Sequence, residues 1–120
     1  MSHLIQQADE RTLWVTFSDV LTQADLDAAQ LAAGELIAKA GKIRGLFVLQ
    51  HFRGFARGVD WGNLAFMASH GDRIERMAIV GDEKWKTDAL VFTGKGARVT
   101  EIEFFTIDGI AAAQAWLNRP

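Results

Sequence analysis

The chain reads as an α/β domain in the order ββαβαβαβα, with a mixed but mostly parallel sheet, an N-terminal hairpin, and helices packed on the sheet. Three observations predict this class. Residues 76–85, Arg-Met-Ala-Ile-Val-Gly-Asp-Glu-Lys-Trp, are a short apolar run that feeds a turn and then a helix, the signature of an α/β unit. Residues 46–49, Leu-Phe-Val-Leu, are apolar on both faces, as in a strand covered from both sides. After the first hairpin, strand and helix patterns alternate, which implies parallel strands joined by right-handed crossovers.

The hairpin is predicted from residues 3–7 and 12–18, joined by the polar turn Ala8-Asp9-Glu10-Arg11. In its second strand Leu13, Val15 and Phe17 alternate with Trp14 and Thr16, the period of a pleated strand. Thr22 caps the first helix, with Asp25 in the place of the capping-box acid. Leu26, Ala29, Ala33, Leu36, Ile37 and Ala40 share one helical face, and Gly41 ends the helix. A strand over 43–50 precedes the aromatic and glycine-rich segment 51–58. Asp60 then caps a second predicted helix, 61–70, that closes at Gly71.

The strand that begins at Arg76 stops at Gly81. Asp82 caps a helix over about 83–92, because its carboxylate accepts hydrogen bonds from the first unpaired backbone N–H groups. Asp82 and Glu83 also suit the positive end of that helix. The turn over 93–96 leads to a last strand over 98–104, and Thr106 starts the final helix, which runs through Leu117. No repeat, low-complexity tract or linker interrupts the chain, so residues 1–120 are expected to form one domain.

At 120 residues there is material for a single core, and 49% apolar against 23% charged residues is an ordinary globular balance. A formal charge of -2 argues against nucleic acid, which requires a clustered basic excess. The absence of cysteine excludes disulfides, thiolate metal sites and cysteine nucleophiles. No signal peptide and no spanning apolar stretch is visible, so a soluble cytoplasmic protein is expected.

Chemistry-bearing motifs are sparse. Ser2, Ser18 and Ser69 stand outside any nucleophile-elbow turn, and His3, His51 and His70 show no metal-ligand spacing. Thr93-Gly94-Lys95-Gly96 lacks the phosphate-loop spacing, and Gly54-Phe55-Ala56-Arg57-Gly58 is no dinucleotide fingerprint. Arg53 and Arg57, with His51 nearby, could hold one anion weakly, but the plainer reading is solvated loop charges. His51 and Asp82 each follow a strand, where open α/β sheets bind ligands, and form a candidate polar site. The plainer reading is a loop histidine and a helix cap. Neither a metal nor a cofactor is expected.

The aromatic segment is the informative anomaly. Phe52, Phe55, Trp61, Leu64, Phe66 and Met67 fall within sixteen residues. On the helix over 61–70, Trp61, Leu64, Ala65 and Ala68 share a face suited to packing on the sheet, whereas Phe66 and Met67 point away from it. Either a neighbouring element covers that extra face, or it is exposed for a partner, a lipid or an apolar ligand. Gly54, Gly58, Gly62 and Gly71 would permit hinge motion.

The chain resembles the SpoIIAA-like family, small bacterial proteins with the fold of STAS domains. The resemblance covers nearly the whole chain. It rests on Gly41-Lys42-Ile43-Arg44, Phe52-Arg53-Gly54-Phe55, Trp61, Arg73-Ile74-Glu75-Arg76, Val80-Gly81-Asp82-Glu83-Lys84-Trp85 and Ala115-Trp116-Leu117. Anti-sigma-factor antagonists of this fold carry a phosphorylatable Ser or Thr after a central strand. Residues 51–60 contain neither, which argues against a phosphoserine switch. For the SpoIIAA-like branch the resemblance implies binding or carrying of non-polar molecules, with membrane association. A mobile helix would open and close over an apolar cavity.

The leading expectation is therefore a non-enzymatic binding or carrier protein for an apolar small molecule or lipid. Phe52, Phe55, Trp61, Leu64, Phe66 and Met67 would form its gate or wall, and Trp85 would contribute from the next helix. Peripheral contact with the inner face of the membrane is part of this expectation. The alternative is a STAS-type protein-interaction module that lacks the phosphorylatable hydroxyl, or a homodimer through the helix over 61–70. An enzyme that uses His51 and Asp82 ranks last, and would need the two within hydrogen-bonding reach.

Overall fold

The computed structural model describes residues 3–55, 73–93 and 101–119. Within them one five-stranded sheet runs in the order β1 (His3–Gln7), β2 (Thr12–Leu21), β3 (Ile43–Phe55), β4 (Ile74–Gly81), β5 (Glu101–Thr106). β1 is antiparallel to β2, and the remaining neighbours are parallel. The described helices are α1 (Gln23–Ala40), α2 (Lys86–Thr93) and α3 (Ile110–Leu117). The predicted class, hairpin and mostly parallel sheet are borne out. The helix expected over 61–70 lies outside the described residues.

The hairpin turn is closed by its own polar groups. The Ala8 N–H donates to the Thr12 carbonyl at 2.9 Å, and the Arg11 N–H donates to the Asp9 carboxylate at 2.8 Å. α1 has the capping box that its sequence implies. The Thr22 hydroxyl accepts from the Asp25 N–H at 3.2 Å, and the Asp25 carboxylate accepts from the Thr22 N–H at 2.9 Å. Asp25 is 2% exposed, and it also bonds His3 Nδ1 at 2.6 Å, which ties β1 to the helix. Gly41 closes α1 at φ +86°, and its N–H donates to the Ile37 carbonyl.

Alternation along the strands builds two cores. Leu13, Val15 and Phe17 of β2, Leu49 of β3, Met77 and Ile79 of β4, and Ile102 of β5 pack with Ala29, Ala33, Leu36 and Ile37 of α1. Half-buried Leu90 of α2 joins this side. Leu46, Val48, Ala78 and Val80 point the other way, onto Ala113 and Leu117 of α3. The connections through α1 and α2 lie on one side of a sheet whose order advances steadily, as right-handed crossovers require. Residues 46–49 are thus covered from both sides, as their two-sided apolarity predicts.

Several boundaries differ from the expectation. β2 extends to Leu21 rather than 18, and β3 to Phe55 rather than 50, so Phe52 and its neighbours belong to a strand and not to a loop. β5 reaches Thr106 rather than 104; residues 98–100 lie outside the described residues. The helices after β4 and β5 each begin with a 3₁₀ turn, Glu83–Trp85 and Ile107–Gly109. Thr106 makes no side-chain cap, because its hydroxyl donates instead to Asp108 at 2.6 Å.

Candidate functional site

The carboxyl ends of the central strands hold every candidate site residue that falls within the described residues. The backbone there is irregular for a definite reason. Ser18 pairs with Gln50, but Asp19 pairs with Phe52 and Val20 with Gly54, which leaves His51 and Arg53 as extra residues. Asp19 and His51 take up these bulges at φ +62° and +52°. Simple alternation from Leu49 would send His51 into the core. The bulge instead turns His51 to solvent and buries Phe52, which is 7% exposed.

Phe52 meets Trp85 edge-on, with ring centroids 5.1 Å apart and planes at 87°, a favoured aromatic geometry. Trp85 stands at the end of the 3₁₀ turn that follows β4, and its ring is half-buried. Gly54 lies beside it at φ +124°, where a β-carbon would come 3.5 Å from the indole. Lys84 Nζ lies 5.6 Å from the indole centroid, within cation–π reach. Phe52, Gly54, Lys84 and Trp85 thus form one aromatic corner at the end of β3 and β4.

Polar groups lie at the same ends of the strands. Asp82 accepts the Lys84 N–H at 3.0 Å and so fulfils its predicted capping role, although the element it caps is a 3₁₀ turn. His51 and Asp82 are both exposed, and no hydrogen bond joins them among the described residues. The Arg53 guanidinium lies 3.4 Å from the Asp19 carboxylate, and both side chains are well exposed. At the end of β5 the Thr106 hydroxyl, and then the backbone N–H of Asp108, hold the Asp108 carboxyl below the usual aspartate range. Ile107, at the same end, is 49% exposed.

Trp61, Leu64, Phe66 and Met67 lie outside the described residues, and Phe55 is described only as the last residue of β3. Sequence reasoning missed Gly54 as a neighbour of Trp85, Lys84 over its ring, and Leu90 beside the core. The one available signal was Gly54 within an otherwise strand-like Phe-Arg-Gly-Phe, since an isolated glycine in a strand marks a bulge or a close approach. Among the described residues no three His, Asp or Glu side chains are placed to hold a metal ion. None of the described helices is long and apolar enough to cross a membrane.

Residues 12–118 match the SpoIIAA-like family. The chain belongs to that family. Its fold is similar to that of an uncharacterized protein from the DUF3478 family with a SpoIIAA-like fold, from Shewanella loihica. The two share 20% identity with a TM-score of 0.71, over 96% of this chain and 91% of the other. No curated protein matches the chain. In this SpoIIAA-like chain the sharpest motif, Gly81 to Trp85, begins at the last residue of β4 and delivers Trp85 to Phe52.

Proposed function

We propose that this SpoIIAA-like protein is a non-enzymatic binding or carrier protein for an apolar small molecule or lipid, with the Phe52–Trp85 corner as part of its wall. The observation that carries the reading is the half-buried indole of Trp85, held edge-on against buried Phe52 at the carboxyl end of a parallel sheet. Open α/β sheets bind ligands at that end. A rigid aromatic face that is only partly covered gains about 25 cal/mol for each Å² a ligand removes from water, before binding costs. Trp61, Leu64, Phe66 and Met67 would supply further apolar surface, and a cytoplasmic protein in peripheral contact with membrane fits such cargo.

Native mass spectrometry of the protein as purified, followed by solvent extraction, tests this. An apolar molecule is expected to co-purify and to be lost in Trp61→Ala and Trp85→Ala while far-UV circular dichroism stays unchanged. Retention of the molecule by both folded variants would count against the reading. Exposed Ile107 beside the same strand ends favours a second reading, a protein-interaction module without a phosphorylatable hydroxyl. It requires a stoichiometric protein complex that Ile107→Ser weakens.

A further inference from the structure

Resting on the apolar corner just described, we propose that its ligand is an amphipathic anion, a carboxylate on an apolar chain, and that Lys84 anchors the head group. The Lys84 ammonium lies 5.6 Å from the centroid of the indole that forms the wall. A chain laid against Trp85 would therefore end beside a cation. That cation has no carboxylate partner among the described residues.

The acids next to it are otherwise disposed. Asp82 turns its carboxylate to the Lys84 backbone N–H, and exposed Glu83 makes no ion pair among the described residues. Arg53, another cation at the ends of these strands, is paired with Asp19 at 3.4 Å. Lys84 thus stands apart as a positive group set on the aromatic wall.

Asp82, Glu83 and Asp88 outnumber Lys84 and Lys86 along the same stretch, so it offers no long-range positive field to attract anions. Selectivity for the head group must come from direct contact with Lys84. Its size is that of an exposed ion pair, about fivefold in affinity at most. Such a contact fixes which end of the ligand faces water, a property that apolar burial alone lacks because it is non-directional.

The experiment compares dansylaminoundecanoic acid with its methyl ester, by fluorescence titration of the wild-type protein, Lys84→Met and Lys84→Arg. The acid is expected to bind the wild type about three- to fivefold more tightly than the ester, and raised salt should shrink the difference. Lys84→Met should abolish the preference and leave ester affinity in place, and Lys84→Arg should retain it. Equal binding of acid and ester by the wild type, or a preference that survives in Lys84→Met, overturns the anchor and leaves the apolar site standing. Failure of both probes to bind the wild type removes the apolar site and the anchor together.

Discussion

Gly54 sits at φ +124°, a conformation that a β-carbon makes costly, and it does so beside the Trp85 ring. Two explanations for glycine at this position make different predictions. A β-carbon here would lie 3.5 Å from the indole, which is ordinary contact, so the ring does not exclude it. The backbone angle does. Gly54→Ala is expected to cost about 1–3 kcal/mol in urea unfolding, through strain rather than collision. A double-mutant cycle with Trp85→Ala separates the two. Strain predicts a coupling below about 0.5 kcal/mol, whereas a larger coupling would mean that the indole itself sets the limit. The same bulged stretch decides where His51 faces. Its position after an apolar strand suggests a site residue, and it is an inserted residue whose side chain points to solvent rather than into the core. A β-bulge leaves no reliable mark in residue type, so this reversal of facing was not legible.

The elements differ in how openly their sequences declare them. α1 is legible to the residue because both ends carry chemistry of their own, the Thr22–Asp25 box and Gly41. The 3₁₀ starts before α2 and α3 were not legible, since a tightened first turn leaves residue spacing almost unchanged. Asp25 also does something that capping rules do not reveal, because its His3 bond holds β1. Thr22→Ala removes only the local cap and is expected to cost about 1 kcal/mol. Asp25→Ala also strips partners from His3 and from the Thr22 N–H, and should cost about 2–3 kcal/mol. Hydrogen exchange distinguishes the two roles. Amides of β1 should lose protection in Asp25→Ala and keep it in Thr22→Ala. Equal protection of β1 in both variants would mean that its pairing with β2 suffices.

At the scale of the whole molecule, the two cores meet at a sheet whose second side, among the described residues, is held by one short helix. α3 offers the sheet only Ala113 and Leu117 as fully buried side chains, a modest apolar contact. Arg76, on β4, supplies what apolar area does not. Its Nη1 donates to the carbonyls of Trp116 at 3.3 Å, Leu117 at 3.5 Å and Arg119. Its Nε lies 3.8 Å from the Glu101 carboxylate, and the guanidinium lies 5.9 Å from the centroid of the Trp116 ring. A positive group at a helix carboxyl end also complements the helix dipole. Nothing near Arg76 in the sequence announces this, because its carbonyl partners lie 40 or more positions on. The fold class could be read from local pattern, whereas this long-range tie could not. The planar fork is what the site uses, so lysine should be a poor substitute. Arg76→Lys is expected to lose about 1–3 kcal/mol in urea unfolding, nearly as much as Arg76→Met, with faster exchange at the carboxyl end of α3. Wild-type stability in Arg76→Lys would assign the tie to charge alone, and wild-type stability in both variants would leave α3 held by Ala113 and Leu117.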